Sequence, residues 1–241
     1  MQYHTALIIG SGFGGQAAAV NLRRIGIEDF LILERRPWMG GTWSQNSYPG
    51  AAVDVQSPLY SLSFEPYPWS QMFAEQHELV EYNNHVLAKH GLRDKTRLNA
   101  NVTQVQWDEA RQLWQVHTAG AGTFEAKYVI NASGPLSTPV IPNFKGRDTF
   151  QGKTFHTNAW DHGYQHAGKR VAIIGSGASA AQAIPAIAPE VGHLHVFQRT
   201  PHWVLPRPDH VFSRFERAML KNRVIYKLLR TAIYWGLESR V

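Results

Sequence analysis

The sequence predicts an α/β protein in which one local pattern occurs twice. A short apolar strand, a turn with two glycines one residue apart, an alanine-rich helix and a second apolar strand begin at Leu7 and again at Val171. Short apolar runs that alternate with helical spacing and are bounded by glycine are typical of β-α-β units in parallel sheets. We therefore expect two such units within the 241 residues.

The first pattern carries three glycines with the spacing G-x-G-x-x-G. The strand Leu7–Ile9 leads into Gly10, Gly12 and Gly15, and a helix is predicted for residues 16–25. In dinucleotide-binding turns the first glycine permits the turn, the second lets a pyrophosphate approach the backbone, and the third lets the helix pack on the strand. The helix N-terminus then attracts the phosphates. A purely structural turn is the alternative explanation.

An acidic residue ends the first unit. Glu34 directly follows the predicted strand Phe30–Leu33 and lies 19 residues after Gly15. A carboxylate at this place accepts hydrogen bonds from the hydroxyls of a ribose. The first unit therefore predicts a Rossmann-like domain that binds FAD or NAD.

The second pattern ends on a basic residue. Its predicted strand, residues 171–174, is followed by a G-x-G-x-x-A turn, a helix containing Pro185, and the strand 193–198. Arg199 lies 24 positions after Gly175, as Glu34 lies 24 positions after Gly10. A guanidinium suits the 2′-phosphate of NADP, so this unit predicts an NADP site; an arginine on a surface loop is the alternative. The residues predicted to bind this nucleotide are Gly175, Ser176, Gly177, Ser179, Ala180, Gln182, Arg199 and Thr200.

Composition excludes several classes of function. The sequence contains no cysteine, which excludes a flavin-dependent disulfide reductase and any thiolate metal site. His156, His162 and His166 lack an accompanying set of carboxylates, so no metal site is predicted. The N-terminus lacks a basic leader, and no apolar run approaches the roughly 18 residues of a membrane span. We expect a cytoplasmic protein without a transmembrane segment.

The formal charge of +6 lies in the last part of the chain. Residues 199–241 contain nine basic and three acidic residues, whereas residues 1–198 contain 15 of each. No nucleic-acid-binding motif accompanies this charge, so no nucleic-acid partner is expected. Apolar residues recur every three or four positions from 211 to 237, which predicts an amphipathic helix or helix pair. We expect this segment to belong to a domain and its apolar face to promote self-association; binding to an anionic membrane surface is the alternative.

A segment between the two units resembles a known family signature. Residues 150–161, FQGKTFHTNAWD, follow the pattern F-x-G-x-x-x-H-x-x-x-W-D and are similar to the fingerprint of class B flavoprotein monooxygenases of the Baeyer–Villiger type. Related flavin-containing and N-hydroxylating monooxygenases usually lack the final Trp-Asp or Trp-Pro. The other segments that resemble this family are GGTW at 40–43, YPGAAVDVQS at 48–57, NASGPLSTPVIP at 131–142 and QRTPHWVLPRPD at 198–209.

The resemblance implies FAD in the first site, NADPH in the second, and particular residues around them. Asp54 is expected near the flavin and the nicotinamide as a catalytic residue, with a loop-capping role as the alternative. His156 and Trp160 are expected to act in catalysis as hinge and relay residues that do not touch the substrate. The further FAD contacts that the resemblance implies are Thr42, Trp43, Asp54, Tyr60 and Val102.

The implied reaction inserts one oxygen of O₂ into a ketone through a C4a-peroxyflavin and gives an ester or lactone. An N- or S-oxygenase of the same superfamily is one alternative, and Ala52, where some members have arginine, leaves the substrate class open. The other alternative is a non-catalytic flavin-binding fragment or partner-dependent half-enzyme. It arises because no third strand completes the second unit, so we expect the chain to be truncated, with the arginine that stabilises the peroxyflavin beyond its C-terminus.

The predicted domain organisation follows from these motifs. The predicted segments are a FAD-binding domain at 1–149 with a β insertion around 99–128, an interdomain fingerprint linker at 150–168, the start of an NADP-binding domain at 169–210, and a basic amphipathic helical segment at 211–241.

Overall fold

The computed structural model describes residues 1–204 and 206–239. The chain forms two compact units: Met1–Ser44 with Val80–Ser137, and Gln45–Leu79 with the described part of 138–241. These units are interleaved along the chain, whereas the predicted domains are consecutive. The assignment of domain boundaries at residues 149, 168 and 210 stays a prediction.

The first unit contains a six-stranded sheet in the order β3-β2-β1-β6-β5-β4. The strands β3, β2, β1 and β6 are mutually parallel, and β5 pairs antiparallel with both β6 and β4. The strands are β1 (Gln2–Ile9), β2 (Phe30–Leu33), β3 (Thr96–Arg97), β4 (Asn101–Asp108), β5 (Leu113–Ala119) and β6 (Gly122–Asn131). Helix α1 (Phe13–Arg24) connects β1 to β2, and α2 (Thr42–Gln45) and α3 (Gln76–Lys89) begin further along the chain.

The central strand β1 is buried on both faces. Its consecutive residues Ala6, Leu7 and Ile8 are all fully buried, as expected where a parallel sheet is covered on both sides. Leu7 packs in a core cluster with Leu33 of β2 and Phe124 of β6. This packing fixes the carboxyl end of β1, where the first glycine turn begins.

The second unit contains a two-stranded parallel sheet within the described residues. Its elements are β7 (Arg170–Ile174), α4 (Ala178–Ile187), β8 (His193–Phe197), α5 (Arg214–Leu220) and α6 (Arg223–Glu238). Pro185 lies inside α4. The predicted α/β class, with two Rossmann-like units of which the second is incomplete in this chain, is confirmed.

The basic helix α6 is anchored through two side chains one turn apart. Tyr226 is 1% exposed, and its hydroxyl oxygen accepts a hydrogen bond from Trp69 Nε1 at 3.0 Å. Arg230 Nη1 donates to the carbonyl oxygens of Pro58 at 2.7 Å and Leu59 at 2.9 Å. Both side chains are therefore engaged within the unit and unavailable to a membrane surface. Among residues 1–204 and 206–239, no helix has the length and apolar character needed to cross a bilayer.

Candidate functional site: two glycine turns

Two glycines of the first turn are required by the fold. Gly10 has φ +101°, and its amide donates to the carbonyl of Leu33 at 2.9 Å, which joins the end of β1 to the end of β2. A Cβ on Gly10 would lie 2.6 Å from the carbonyl oxygen of Ala132. A Cβ on Gly15 would lie 1.9 Å from the carbonyl oxygen of Gly10. A side chain at Gly10 would clash with the backbone that follows β6, and a side chain at Gly15 would clash with the backbone at the end of β1.

Gly12 differs, because no contact among the described residues requires a glycine there. Its φ is −72°, an ordinary value, and a Cβ would meet only the Cα of Gly41 at 3.5 Å, a normal contact distance. Gly12 is the N-cap residue of α1 and directly precedes its first residue. The missing side chain therefore leaves room in front of the helix N-terminus, as a bound pyrophosphate requires.

The carboxylate of Glu34 is held by the same turn. Glu34 is 5% exposed, and its Oε2 accepts hydrogen bonds from the backbone amide of Ser11 at 3.0 Å and from Ser11 Oγ at 2.6 Å. Oε1 accepts from the amide of Arg36 at 3.0 Å. A carboxylate oxygen accepts two hydrogen bonds, so Oε1 keeps capacity for a ribose hydroxyl. Sequence reasoning missed Ser11, although a serine at the same place in the second turn was a usable signal.

The second turn reproduces the geometry of the first. Gly175 has φ +117°, and its amide donates to the carbonyl of Phe197 at 2.8 Å, at the end of β8. Gly177 has φ −69°, and a Cβ on it would meet no atom of residues 1–204 and 206–239 within 4 Å. Ser176 Oγ donates to the carbonyl of Thr200 at 3.1 Å. The structure therefore brings the turn and the loop after β8 together, with open space beside Gly177 at the start of α4.

The two β-α-β units differ in the distance from the end of the second strand to the predicted acidic or basic residue. Ile9 pairs with Leu33 in the first sheet, and Ile174 pairs with Phe197 in the second. Glu34 directly follows its strand, whereas one residue separates Arg199 from Phe197. The connection between the paired strands is one residue shorter in the second unit. Gln198, rather than Arg199, therefore occupies the position of Glu34, although the counted spacing from the first glycine is 24 positions in both units. Arg199 is the next residue and is exposed.

The remaining predicted FAD contacts are divided between the units. Thr42 and Trp43 lie in α2, and Val102 lies in β4, where it pairs with Thr118. These residues belong to the first unit with Gly10, Gly12, Gly15 and Glu34. Asp54 and Tyr60 belong to the second unit, which also contains every residue predicted to bind NADP.

The fingerprint segment, residues 150–161, is tied to Gln45 and Asn46 by side-chain amides. His156 Nδ1 accepts from the amide of Asn158 at 3.1 Å at the start of the short turn Thr157–Ala159. The Asn158 side chain accepts from Gln45 Nε2, and its Nδ2 donates to Asn46 Oδ1 at 3.4 Å. No sequence pattern marks these polar partners, so they could not be predicted.

Trp160 packs in a small apolar cluster of the second unit. It contacts the buried residues Tyr48, Ala51 and Ala183, and its ring lies edge-on to that of Phe155 at 5.1 Å. His156 and Trp160 thus face different partners within the segment. Their predicted hinge and relay roles stay a prediction.

An ion pair spans the fingerprint segment. Lys153 Nζ lies 2.7 Å from Asp161 Oδ2, and this hydrogen-bonded ammonium lowers the pKa of the Asp161 carboxyl. The next residue, His162, lies with its Nε2 atom 2.8 Å from Ser47 Oγ. Within the part of the chain that the structure describes, no group of histidines and carboxylates is placed to hold a metal ion.

Comparisons with known proteins match both units. The family model described as pyridine nucleotide-disulphide oxidoreductase matches residues 7–213. A Baeyer–Villiger monooxygenase from Streptomyces coelicolor is 49% identical over 233 residues, which cover 96% of this chain and 45% of that protein. This similarity confirms the resemblance inferred from the motifs.

Solved structures support the same family resemblance. A crystal structure of a cyclohexanone monooxygenase mutant from Rhodococcus sp. Phi1 bound to NADP⁺ has a TM-score of 0.85 at 37% identity and covers 92% of this chain and 44% of that one. The crystal structure of an OTEMO complex with FAD and NADP has a TM-score of 0.85 at 34% identity, with 93% and 44% coverage. The chain therefore spans somewhat less than half the length of the proteins it matches.

Proposed function

Because the chain belongs to the pyridine nucleotide-disulphide oxidoreductase family, we propose that it provides the two nucleotide sites of an FAD- and NADPH-dependent monooxygenase of the Baeyer–Villiger type. The observation that carries the proposal is the repeated turn. Gly12 and Gly177 are the N-cap residues of their helices, and the contacts of the described residues do not require glycine at either position. The Baeyer–Villiger relative and the structures with FAD and NADP support the assignment of both nucleotides.

In this proposal the first unit binds FAD. The pyrophosphate lies against Gly12 and the first amides of α1, and Glu34 Oε1 accepts a hydrogen bond from the ribose. Gly10 and Gly15 act indirectly, since they allow the helix to start close to β1. The other proposed contacts to FAD in this unit are Thr42, Trp43 and Val102. Bound FAD would supply the redox chemistry with NADPH and O₂.

The second unit binds NADPH in the same manner. Gly177 and the N-terminus of α4 receive the pyrophosphate, and exposed Arg199 pairs with the 2′-phosphate. Ser176, which bonds the loop after β8, holds that loop beside the turn. The other proposed contacts are Gly175, Ser179, Ala180 and Thr200. Asp54, in the same unit, offers a carboxylate to the nicotinamide, and His156 and Trp160 act as hinge and relay.

The proposed overall reaction converts a ketone, O₂, NADPH and a proton into an ester or lactone, NADP⁺ and water. The ketone class follows from the names of the Baeyer–Villiger relative and the cyclohexanone monooxygenase structure, which describe those proteins. The family description also includes disulphide chemistry, but the 241 residues contain no cysteine to support it.

The test is product analysis with the purified chain, NADPH and ¹⁸O₂. We expect a cyclic ketone to give a lactone that carries one ¹⁸O atom, whereas an amine or thioether gives less product. Preferential oxygenation of the thioether would reassign the chain to S-oxygenation. NADPH consumption that yields only hydrogen peroxide would contradict the oxygenase proposal.

A further inference from the structure

The side chain of Gln182 makes four hydrogen bonds to one loop. Its Oε1 accepts from the Tyr48 hydroxyl at 2.9 Å and from the amide of Ala52 at 3.3 Å. Its Nε2 donates to the carbonyl of Ala52 at 3.0 Å and to Asp54 Oδ1 at 2.7 Å. All of these residues belong to the second unit, and residues 48–54 are here named the clamp loop.

These four bonds use the whole hydrogen-bonding capacity of the side chain. A primary amide has two donor hydrogens and an oxygen that accepts two hydrogen bonds. A nucleotide could therefore bond Gln182 only by displacing a loop partner, which would leave a partly buried polar group unpaired. All donors and acceptors of the Gln182 side chain are therefore used by the loop.

Backbone geometry and packing hold the clamp loop against α4 beside Gln182. Gly50 has φ +80°, and a Cβ there would lie 2.6 Å from the carbonyl oxygen of Gln182. Buried Tyr48 and Ala51 pack against Ala183, and burial raises the pKa of the Tyr48 phenol, which keeps it a neutral donor. The loop and the helix therefore form one packed element.

We propose that Gln182 is a positioning residue that fixes Asp54 relative to the NADP turn, and is not itself a nucleotide contact. This inference rests on the proposed function. Helix α4 begins after Gly177, so Gln182 lies in its second turn, and its amide ties Asp54 to the helix whose N-terminus receives the nucleotide. Asp54 is exposed, and its carboxylate is accessible to a ligand in this fixed orientation.

A double-mutant cycle tests this inference through the dissociation constant of NADPH, measured by calorimetry on the full chain with FAD bound. We expect Gln182→Ala and Asp54→Ala each to weaken NADPH by about tenfold, and the double variant to be no weaker than Asp54→Ala alone. The reason is that Gln182 acts only through Asp54. Gln104→Ala, at an exposed position of β4, is the matched control and should leave the constant unchanged.

A backbone variant gives an independent test that leaves both side chains in place. Gly50→Ala introduces a methyl against the Gln182 carbonyl and should displace the clamp loop. We expect NADPH to weaken by about tenfold and amide hydrogen exchange of residues 48–54 to accelerate.

Multiplicative losses, about a hundredfold in the double variant, would overturn the inference and make Gln182 a direct contact. Unchanged NADPH affinity in Gly50→Ala, with faster exchange in the clamp loop, would also overturn it, and this outcome stands even if Gln182→Ala fails to fold. A wild-type chain that binds FAD but no NADPH would instead refute the proposed second site, together with any role of Gln182 there.

Discussion

A Gly12→Val chain should purify without FAD. The new side chain would occupy the space in front of α1 that we assign to the pyrophosphate, and a β-branched residue fits the local backbone, with φ −72° and ψ −169°. Overpacking of a tight contact costs about 1–3 kcal/mol, and the blocked backbone amides add to the loss. We expect at least a roughly hundredfold drop in FAD affinity, measured from flavin absorbance per mole of purified protein and by titration of apoprotein.

The matched control is Gly14→Ala in the same turn. A Cβ at Gly14 would lie 3.5 Å from the Cβ of Ala132, an ordinary contact, and the position is exposed. This variant should retain FAD. Circular dichroism should show both variants folded, and a folded Gly12→Val chain with full flavin content would contradict the assignment of the first turn.

Arg199→Ala should weaken NADPH and leave NADH nearly unchanged. Arg199 is exposed next to the loop that Ser176 holds at the second turn, so its guanidinium can pair with a 2′-phosphate. A charge-assisted hydrogen bond is worth about 1.5–3 kcal/mol, which corresponds to about a 10- to 100-fold loss of affinity. Calorimetric titration of the chain with each nucleotide measures the difference.

Arg214→Ala is the control for general loss of positive charge. Arg214 is an exposed residue at the start of α5, and its removal should change both affinities by less than about twofold. Equal losses for NADPH and NADH in Arg199→Ala would limit Arg199 to a structural role. The one-residue offset from Glu34 would then identify Gln198 as the position to examine.

The local pattern of each β-α-β unit could be predicted because consecutive apolar residues mark buried parallel strands. Leu7 and Ile8 are fully buried, and the strand Phe30–Leu33 lies at its predicted position. The register between strands could not be predicted from spacing, since the connection from Ile174 to Phe197 is one residue shorter than its counterpart. A count along the sequence does not detect where a strand ends.

The polar contacts of the site were harder to predict from the sequence. Ser11 and Glu34 are 23 residues apart, and Gln182 and Asp54 are 128 apart, so their pairing depends on the tertiary fold. Gln182 was predicted to bind the nucleotide because it follows a glycine turn, but that motif does not show where its amide points. The interleaving of the two units along the chain likewise follows from long-range packing.

The most direct test of the account is anaerobic mixing of the FAD-loaded chain with NADPH. If one chain holds both nucleotides for electron transfer, the visible absorbance of oxidised flavin should disappear on mixing, more slowly with NADH and in Arg199→Ala. Flavin that stays oxidised while calorimetry shows both nucleotides bound would contradict the claim that NADPH at the second turn reduces FAD at the first.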